Sequence, residues 1–184
     1  MPFQLGAQPV ESPVVDVVRL MVALIASADA GDGDAQHRLG LACFHGQGVE
    51  KNLAAARRLQ RAAAEQGVVD AQFELSLLLA QGLGGPVDAR GARRWEQRAA
   101  DAGHARACLN RGVRLTRARR PDLAEVARWY ERAAKAGSAE AAARLCKMQL
   151  AGPGAARKQA AARRWFERAA ALGYDWSREA KGSR

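Results

Sequence analysis

The sequence predicts an all-α chain: a right-handed α-α superhelix, or solenoid, of about four helix-turn-helix repeats behind an N-terminal capping helix. Three observations predict it. The first is composition. The 184 residues suffice for one domain with a sizeable core. They are 48% hydrophobic and 26% charged, and rich in alanine and arginine, both strong helix formers. The second is a block that recurs four times: Leu59 to Gly67, Trp95 to Gly103, Trp129 to Gly137 and Trp165 to Gly173. The third is the spacing of the closing glycines. Gly31, Gly67, Gly103, Gly137 and Gly173 follow one another at 36, 36, 34 and 36 residues. A period of this size is the mark of stacked helical pairs.

Residues 1–10 are expected to form a flexible N-terminus. Residues 11–31 read as a capping helix. Val14, Val17, Val18, Met21, Leu24 and Ile25 follow helical spacing, with Asp16 and Arg19 turned to solvent. A dimerisation or membrane-surface role is the alternative for this helix. The apolar stretch from Val14 to Ala26 is too short and too charged to span a membrane. The repeats then occupy about 32–67, 68–103, 104–137 and 138–173, within a solenoid that runs from 32 to 176, where Tyr174 to Trp176 folds back over the last unit. Residues 177–184 read as a basic C-terminal tail.

Within each repeat, a first helix starts after the closing glycine. Its inner face carries Ala35, Ala71, Ala107 and Ala141, then Leu39, Leu75, Arg111 and Leu145. A small residue follows in each unit: Gly40, Ser76, Gly112 and Cys146. A small side chain at a fixed phase implies close approach by a neighbour. Turns come next, seen best at Gly46-Gln47-Gly48 and Gly82 to Pro86. The third turn is two residues shorter. There Pro121 fits the first turn of the next helix, with Asp122 at its positive end. The second helix supplies the Trp and Ala-Ala positions, which with the Leu column form the expected buried seam. It ends at a glycine able to take the left-handed conformation.

These columns resemble the Sel-one-like repeat (SLR) family, a relative of the tetratricopeptide repeats. The match is carried by Ala35, Leu39-Gly40, Gly46-Gln47-Gly48-Val49, Asn52 and Ala62-Ala63 with Gly67, and in unit two by Ala71, Leu75, Gly82, Asp88, Trp95, Ala99-Ala100 and Gly103. It covers about Gly31 to Gly173. Departures are Cys43, Leu79, Leu115 and Gln149 at the family's aromatic position, and Arg111 in place of Leu. The resemblance implies a scaffold or adaptor, often bacterial. It also implies that the first helices line a concave binding side. Some secreted members carry a disulfide in each repeat, and the cysteines here form no matched pairs.

Two surfaces are candidates. On the first helices a second stripe, next to the inner face, holds His37, Leu41 and Phe44, then Phe73 and Leu77, then Leu109 and Val113. It is expected to form a groove for a partner helix or extended peptide, unless neighbouring units cover it. On the second helices, Arg58, Arg94, Arg128 and Arg164 share one column, and Arg98, Arg132 and Arg168 lie four residues later. They form a basic ridge, with Glu131 and Glu167 neutralising part of it. The ridge suits a solvated face, or an acidic or nucleic-acid partner. Net charge is +10, which keeps an anionic partner in view. Exposed aromatics of a nucleic-acid platform are not evident.

Catalysis is not indicated. His37, Cys43 and His45 lack metal-ligand spacing, and no phosphate loop or nucleophile-base arrangement stands out. No metal or cofactor is expected. Cys43, Cys108 and Cys146 are odd in number and irregularly spaced, as buried free thiols would be. A cytoplasmic protein is expected. The expected function is a protein-protein interaction scaffold. The alternatives are an immunity-type inhibitor of a secreted toxin, since some similar repeat proteins neutralise one, and an electrostatic nucleic-acid binder using the ridge.

Overall fold

The computed structural model describes residues 13–151 and 155–177. The expected flexible segment 1–10 and residues 178–184 of the expected tail lie outside the described residues. Among the described residues the chain is all helix, with no strand. Helix α1 (Pro13–Asp29) comes first. Then follow, in chain order, α2 (Gly33–His45) and α3 (Leu53–Glu65), α4 (Val69–Gln81) and α5 (Ala89–Asp101), α6 (Ala105–Thr116) and α7 (Leu123–Lys135), α8 (Ala139–Ala151) and α9 (Ala155–Ala171). Most are 12 or 13 residues long, about 20 Å, too short to persist alone in water. Packing holds them.

The glycine joints behave as the spacing predicts. Gly31, Gly67, Gly103, Gly137 and Gly173 have φ of 95°, 92°, 91°, 98° and 83°. Each lets the chain turn back so that two consecutive amides reach the carbonyls of the helix just ended. Gly67 N–H donates to Ala64 O and Val68 N–H to Ala63 O, both at 3.1 Å. His104 N–H to Ala99 O, Ser138 N–H to Ala133 O and Tyr174 N–H to Ala169 O repeat the second bond at 2.9 Å. Carbonyls left open at a helix end are thereby satisfied. At the opposite ends, carboxylates and amides cap the new helix. Asp32 Oδ1 accepts from Asp34 N and Ala35 N, and Asn52 Oδ1 from Ala55 N. The Ala35 amide, first among several donors, holds the Asp32 carboxyl below its ordinary range.

The chain divides into two compact units between Asp88 and Ala89. In the first, α1 packs on α2, α2 on α3 and α3 on α4. Ala28, Ala35, Leu39, Cys43 and Ala56 form a buried cluster, with Met21, Leu24 and Ile25 of α1 laid against it. Val17 and Val18, read from the sequence as part of that stripe, are instead 57% and 58% exposed. Met21 already reaches Gly48, in the turn beyond α2, so residues one turn earlier have run past their support. The side chains of Val14 and Asp16 lie outside the described residues. In the second unit each of α5 to α9 packs on the next. Alanine dominates there: Ala99, Ala107, Ala133, Ala134, Ala141 and Ala169 are wholly buried.

Three details differ from the sequence reading. Leu59, Trp95, Trp129 and Trp165 are only half-buried. In units one and three the next residue is fully buried, Gln60 and Tyr130 being 1% and 2% exposed, whereas Glu96 is half-buried and Phe166 is 45% exposed. These side chains lie over Gly40 and Gly112: a Cβ at Gly112 would sit 2.4 Å from Tyr130 Cε1. In units one and three the small residue therefore makes room for the residue after Leu59 or Trp129. In unit one the buried alanine pair is Ala63-Ala64, not Ala62-Ala63. Finally, Pro121 precedes α7 and does not enter its first turn. Asp122 is the N-cap, its Oδ1 accepting from Ala124 N and Glu125 N, so the helix opens at Leu123.

Candidate functional site

The apolar stripe on the first helices is partly open. His37, Leu41 and Phe44 on α2, Leu77 on α4, and Leu109 and Val113 on α6 are all half-buried. Phe44 leans on the first unit's core and meets the His45 ring edge-on at 4.9 Å. His37 is tethered: Gln60 Nε2 donates to its carbonyl at 3.0 Å, and with Gln60 Oε1 as acceptor its Nδ1 donates at 2.8 Å. Phe73 is not part of an open groove. It is 3% exposed, because α4 buries Leu75, Leu78 and Leu79 as well and is covered nearly all round.

All seven ridge arginines are exposed, and they fall into two kinds. Arg98 lies over the Trp95 ring at 4.6 Å and Arg132 over Trp129 at 5.0 Å. Arg132 Nη2 also donates to Asp101 O, at the end of α5, at 2.7 Å. These cations shield half-buried tryptophans, a contact of about 0.5–1 kcal/mol at exposed sites. Arg58, Arg94, Arg128 and Arg164, one turn away, make no hydrogen bond or ion pair among the described residues. The expected neutralisation differs in detail. Glu167 pairs with Arg163 at 2.9 Å, not with Arg164, since a four-residue spacing brings those two chains together. Arg164 and Arg168 line a cleft of about 650 Å³ with Trp165, Lys135 and Glu131.

Arg111, where a leucine was expected, is half-buried. It bonds to Gln97 Oε1 and lies 5.5 Å from the Trp129 ring centre. Its long stem does the packing of the leucine while its head finds polar and aromatic partners.

A second cleft, of about 340 Å³, was not singled out from sequence. Thr116, Tyr130, Glu140, Arg144, Lys147 and Tyr174 line it, with Leu123 and Met148. Arg144 Nε and Nη2 both donate to Glu140 Oε1, at 3.0 and 2.7 Å. The Tyr130 hydroxyl is buried and makes no well-formed hydrogen bond. The available signal was Tyr130 itself: a hydroxyl-bearing ring next to the tryptophan position needs a partner if it is buried.

Cys43, Cys108 and Cys146 are free and buried, and burial raises the thiol pKa of Cys43 and Cys108. Among the described residues no three His, Cys, Asp or Glu gather as a metal site, and no helix is long and apolar enough to cross a membrane.

Comparison with known proteins adds to this geometry. The Sel1 repeat pattern matches residues 33–68, 69–104, 119–138 and 139–174, well over half the chain. The unmatched stretch, 105–118, is α6 with the first two residues of the shortened third turn. Among solved structures, a Sel1 repeat protein from Oxalobacter formigenes is 28% identical with a TM-score of 0.71, over 88% of this chain and 65% of that one. The protein c5321, described as a protective antigen present in uropathogenic Escherichia coli strains and displaying an SLR fold, is 27% identical with a TM-score of 0.70. That match covers 86% of this chain and 34% of that one, so this chain spans only part of the length of both. The curated proteins gave no match.

Proposed function

This chain belongs to the Sel1 repeat family, an all-α helical-repeat fold suited to protein-protein contact, and we propose that it is a non-catalytic scaffold or adaptor that holds a partner protein against its first helices. One observation carries this. Leu41, Leu77 and Val113 stand at the same repeat position on α2, α4 and α6, and each keeps part of its apolar surface open. Fully covered positions such as Leu75 and Leu145 serve the fold. A position left half-open in three successive units serves contact. Phe44 and the tethered His37 lie beside Leu41 on α2, and Leu109 lies beside Val113 on α6. Changing Leu41, Leu77 and Val113 to serine together should abolish recovery of the partner that wild type retains, with helicity and melting temperature nearly kept. Unfolding of the variant, or undiminished recovery, would overturn the assignment.

A second reading rests on Arg58, Arg94, Arg128 and Arg164, which form no ion pairs among the described residues of a chain with net charge +10. Four exposed cations of this kind would suit an acidic surface or nucleic acid. Binding to DNA or RNA that falls steeply with salt, and that weakens uniformly when these four are changed to glutamine, would support it. Retention of the protein on neither nucleic acid at low salt would dismiss it.

A further inference from the structure

We propose that the cleft between α7, α8 and α9 binds the carboxylate of an acidic side chain on a partner protein, which accepts a hydrogen bond from Trp165 Nε1–H and pairs with Arg164, Arg168 and Lys135. This goes beyond the scaffold function proposed above, because none of the cleft's lining residues stands at a repeat position of the half-open stripe. It takes Arg164 from the arginine column and does not need the other three.

The repeat supplies its own comparison. Trp129 and Trp165 stand at one repeat position, and the chain surrounds them differently. Trp129 is enclosed by its neighbours. Its Nε1–H donates to Glu125 Oε1 at 3.3 Å, and Arg111 and Arg132 lie 5.5 and 5.0 Å from its ring centre. Arg132 also closes the gap to α5 through its bond to Asp101 O. Around Trp165, Ala161 stands where Glu125 does, Leu145 where Arg111 does and Lys135 where Asp101 does. Ala161 offers no acceptor, and Leu145 is wholly buried in the core. Arg168, the counterpart of Arg132, makes neither the ring contact nor the carbonyl bond among the described residues. What remains is an open cleft of about 650 Å³ beside the half-buried Trp165, a size that suits a side chain with its neighbouring peptide groups.

The charges select the occupant. Lys135, Arg164 and Arg168 line the cleft with a single carboxylate, Glu131. All three cations are exposed, and none makes a hydrogen bond or ion pair among the described residues. Glu167, the one carboxylate of α9, is held by Arg163 at 2.9 Å and does not neutralise them. The indole N–H of Trp165 is a donor with no acceptor among the described residues, where its counterpart has a carboxylate. Gln149, at the position of Leu115 in the preceding unit, adds a half-buried amide to the wall. A carboxylate set beside Trp165 as Glu125 is set beside Trp129 takes the indole bond. It also meets guanidinium groups that can donate two parallel hydrogen bonds to it. The missing side chain at Ala161 leaves room for its stem. A cation is disfavoured by the same three charges, and excess positive charge over the whole chain favours an acidic partner.

The test uses the full chain at low salt and two peptides with blocked ends, acetyl-Gly-Leu-Glu-Leu-Gly-amide and its glutamine counterpart. Affinity is read by calorimetry, and the indole N–H signals are followed by nuclear magnetic resonance. The glutamate peptide should bind and shift the Trp165 signal, which is identified by its loss in Trp165→Phe. The glutamine peptide should bind at least tenfold more weakly. Trp165→Phe keeps an aromatic ring and removes the donor, and should weaken the glutamate peptide about tenfold, as loss of one hydrogen bond to a charged group does. Ala161→Glu installs the acceptor of the preceding unit. It should weaken the glutamate peptide at least tenfold, with the melting temperature kept or raised. Equal binding of both peptides, binding of neither, or wild-type affinity in Trp165→Phe or in Ala161→Glu would overturn the proposal. Changing Arg58, Arg94 and Arg128 to glutamine should leave this binding unchanged, as should the serine variants of the half-open stripe. Failure here is therefore distinguishable from failure of either reading above.

Discussion

Gly112→Ala should destabilise the protein, although alanine is the better helix former. Gly112 lies inside α6, where alanine in place of glycine gains about 1 kcal/mol in a free helix. Against this stands the Tyr130 ring. An added Cβ would lie 2.4 Å from Cε1 and 2.6 Å from Cδ1, where carbon atoms at rest stay about 3.5–4.0 Å apart. The ring must retreat by about 1 Å. It has little room to do so, being 2% exposed, with Val126, Ala133 and Ala134 of its own helix wholly buried beside it. Overpacking of this kind costs about 1–3 kcal/mol, and expelling the ring would forfeit about as much burial. With the helix gain subtracted, the net loss is about 0–2 kcal/mol, or up to about 8 °C in melting temperature for a chain of this length. Circular dichroism melts and urea titrations give both numbers. The same change in a Tyr130→Leu background, where the ring is gone, should be neutral or stabilising, so the two substitutions couple strongly. Stabilisation by Gly112→Ala in the wild-type background would refute the packing argument. Gly40→Ala should behave more mildly in the steric sense, since it meets the flexible end of Gln60, but it should break the two bonds that tether His37.

Other expectations follow from the joints and the thiols. Asn52→Ala removes the cap of α3 and should cost about 1 kcal/mol, read as a melting shift of about 2–4 °C. Asp32 has a folded pKa below its ordinary value, so its ionised form stabilises the fold above the unfolded carboxylate range, and that contribution is lost as pH falls through the folded value. The stability gap between wild type and Asp32→Ala should therefore shrink as pH drops from about 5 toward about 2, which urea titrations at several pH values can follow. Cys43, Cys108 and Cys146 should react with an aromatic disulfide reagent far more slowly in the native protein than in denaturant, because all three are buried. Prompt labelling of three thiols would show that the core opens readily.

The period and the joints were legible because they rest on local chemistry. A glycine at positive φ followed by a capping residue is specified by its own few residues, and Gly31 through Gly173 were placed correctly for that reason. In units one and three the buried column was read one residue early. Tryptophan is the largest apolar side chain, so it was assigned to the seam, but a seam of alanines has no room for it. In units one and three the neighbour, Gln60 or Tyr130, goes in, and Trp95 and Trp129 each lie under an arginine. Phe73 and the Val17–Val18 face were misjudged because helical spacing says which residues share a face and not what lies opposite it. The Arg144–Tyr130 cleft joins residues from three helices, and no periodicity points to it.

The glycine joints have one more consequence. Each is closed by atoms of its own five or six residues, such as Ala63 O, Ala64 O and the amides of Gly67 and Val68. A hinge that borrows nothing from its surroundings can be copied, removed or moved along the polypeptide as a unit. Cutting out one whole period between matching joints, for example from Val68 through Gly103, leaves a junction whose hydrogen bonds are already complete. Growth and shortening of such a chain are then limited by how well the newly adjoining side chains fit, and not by the cost of inventing a new bend.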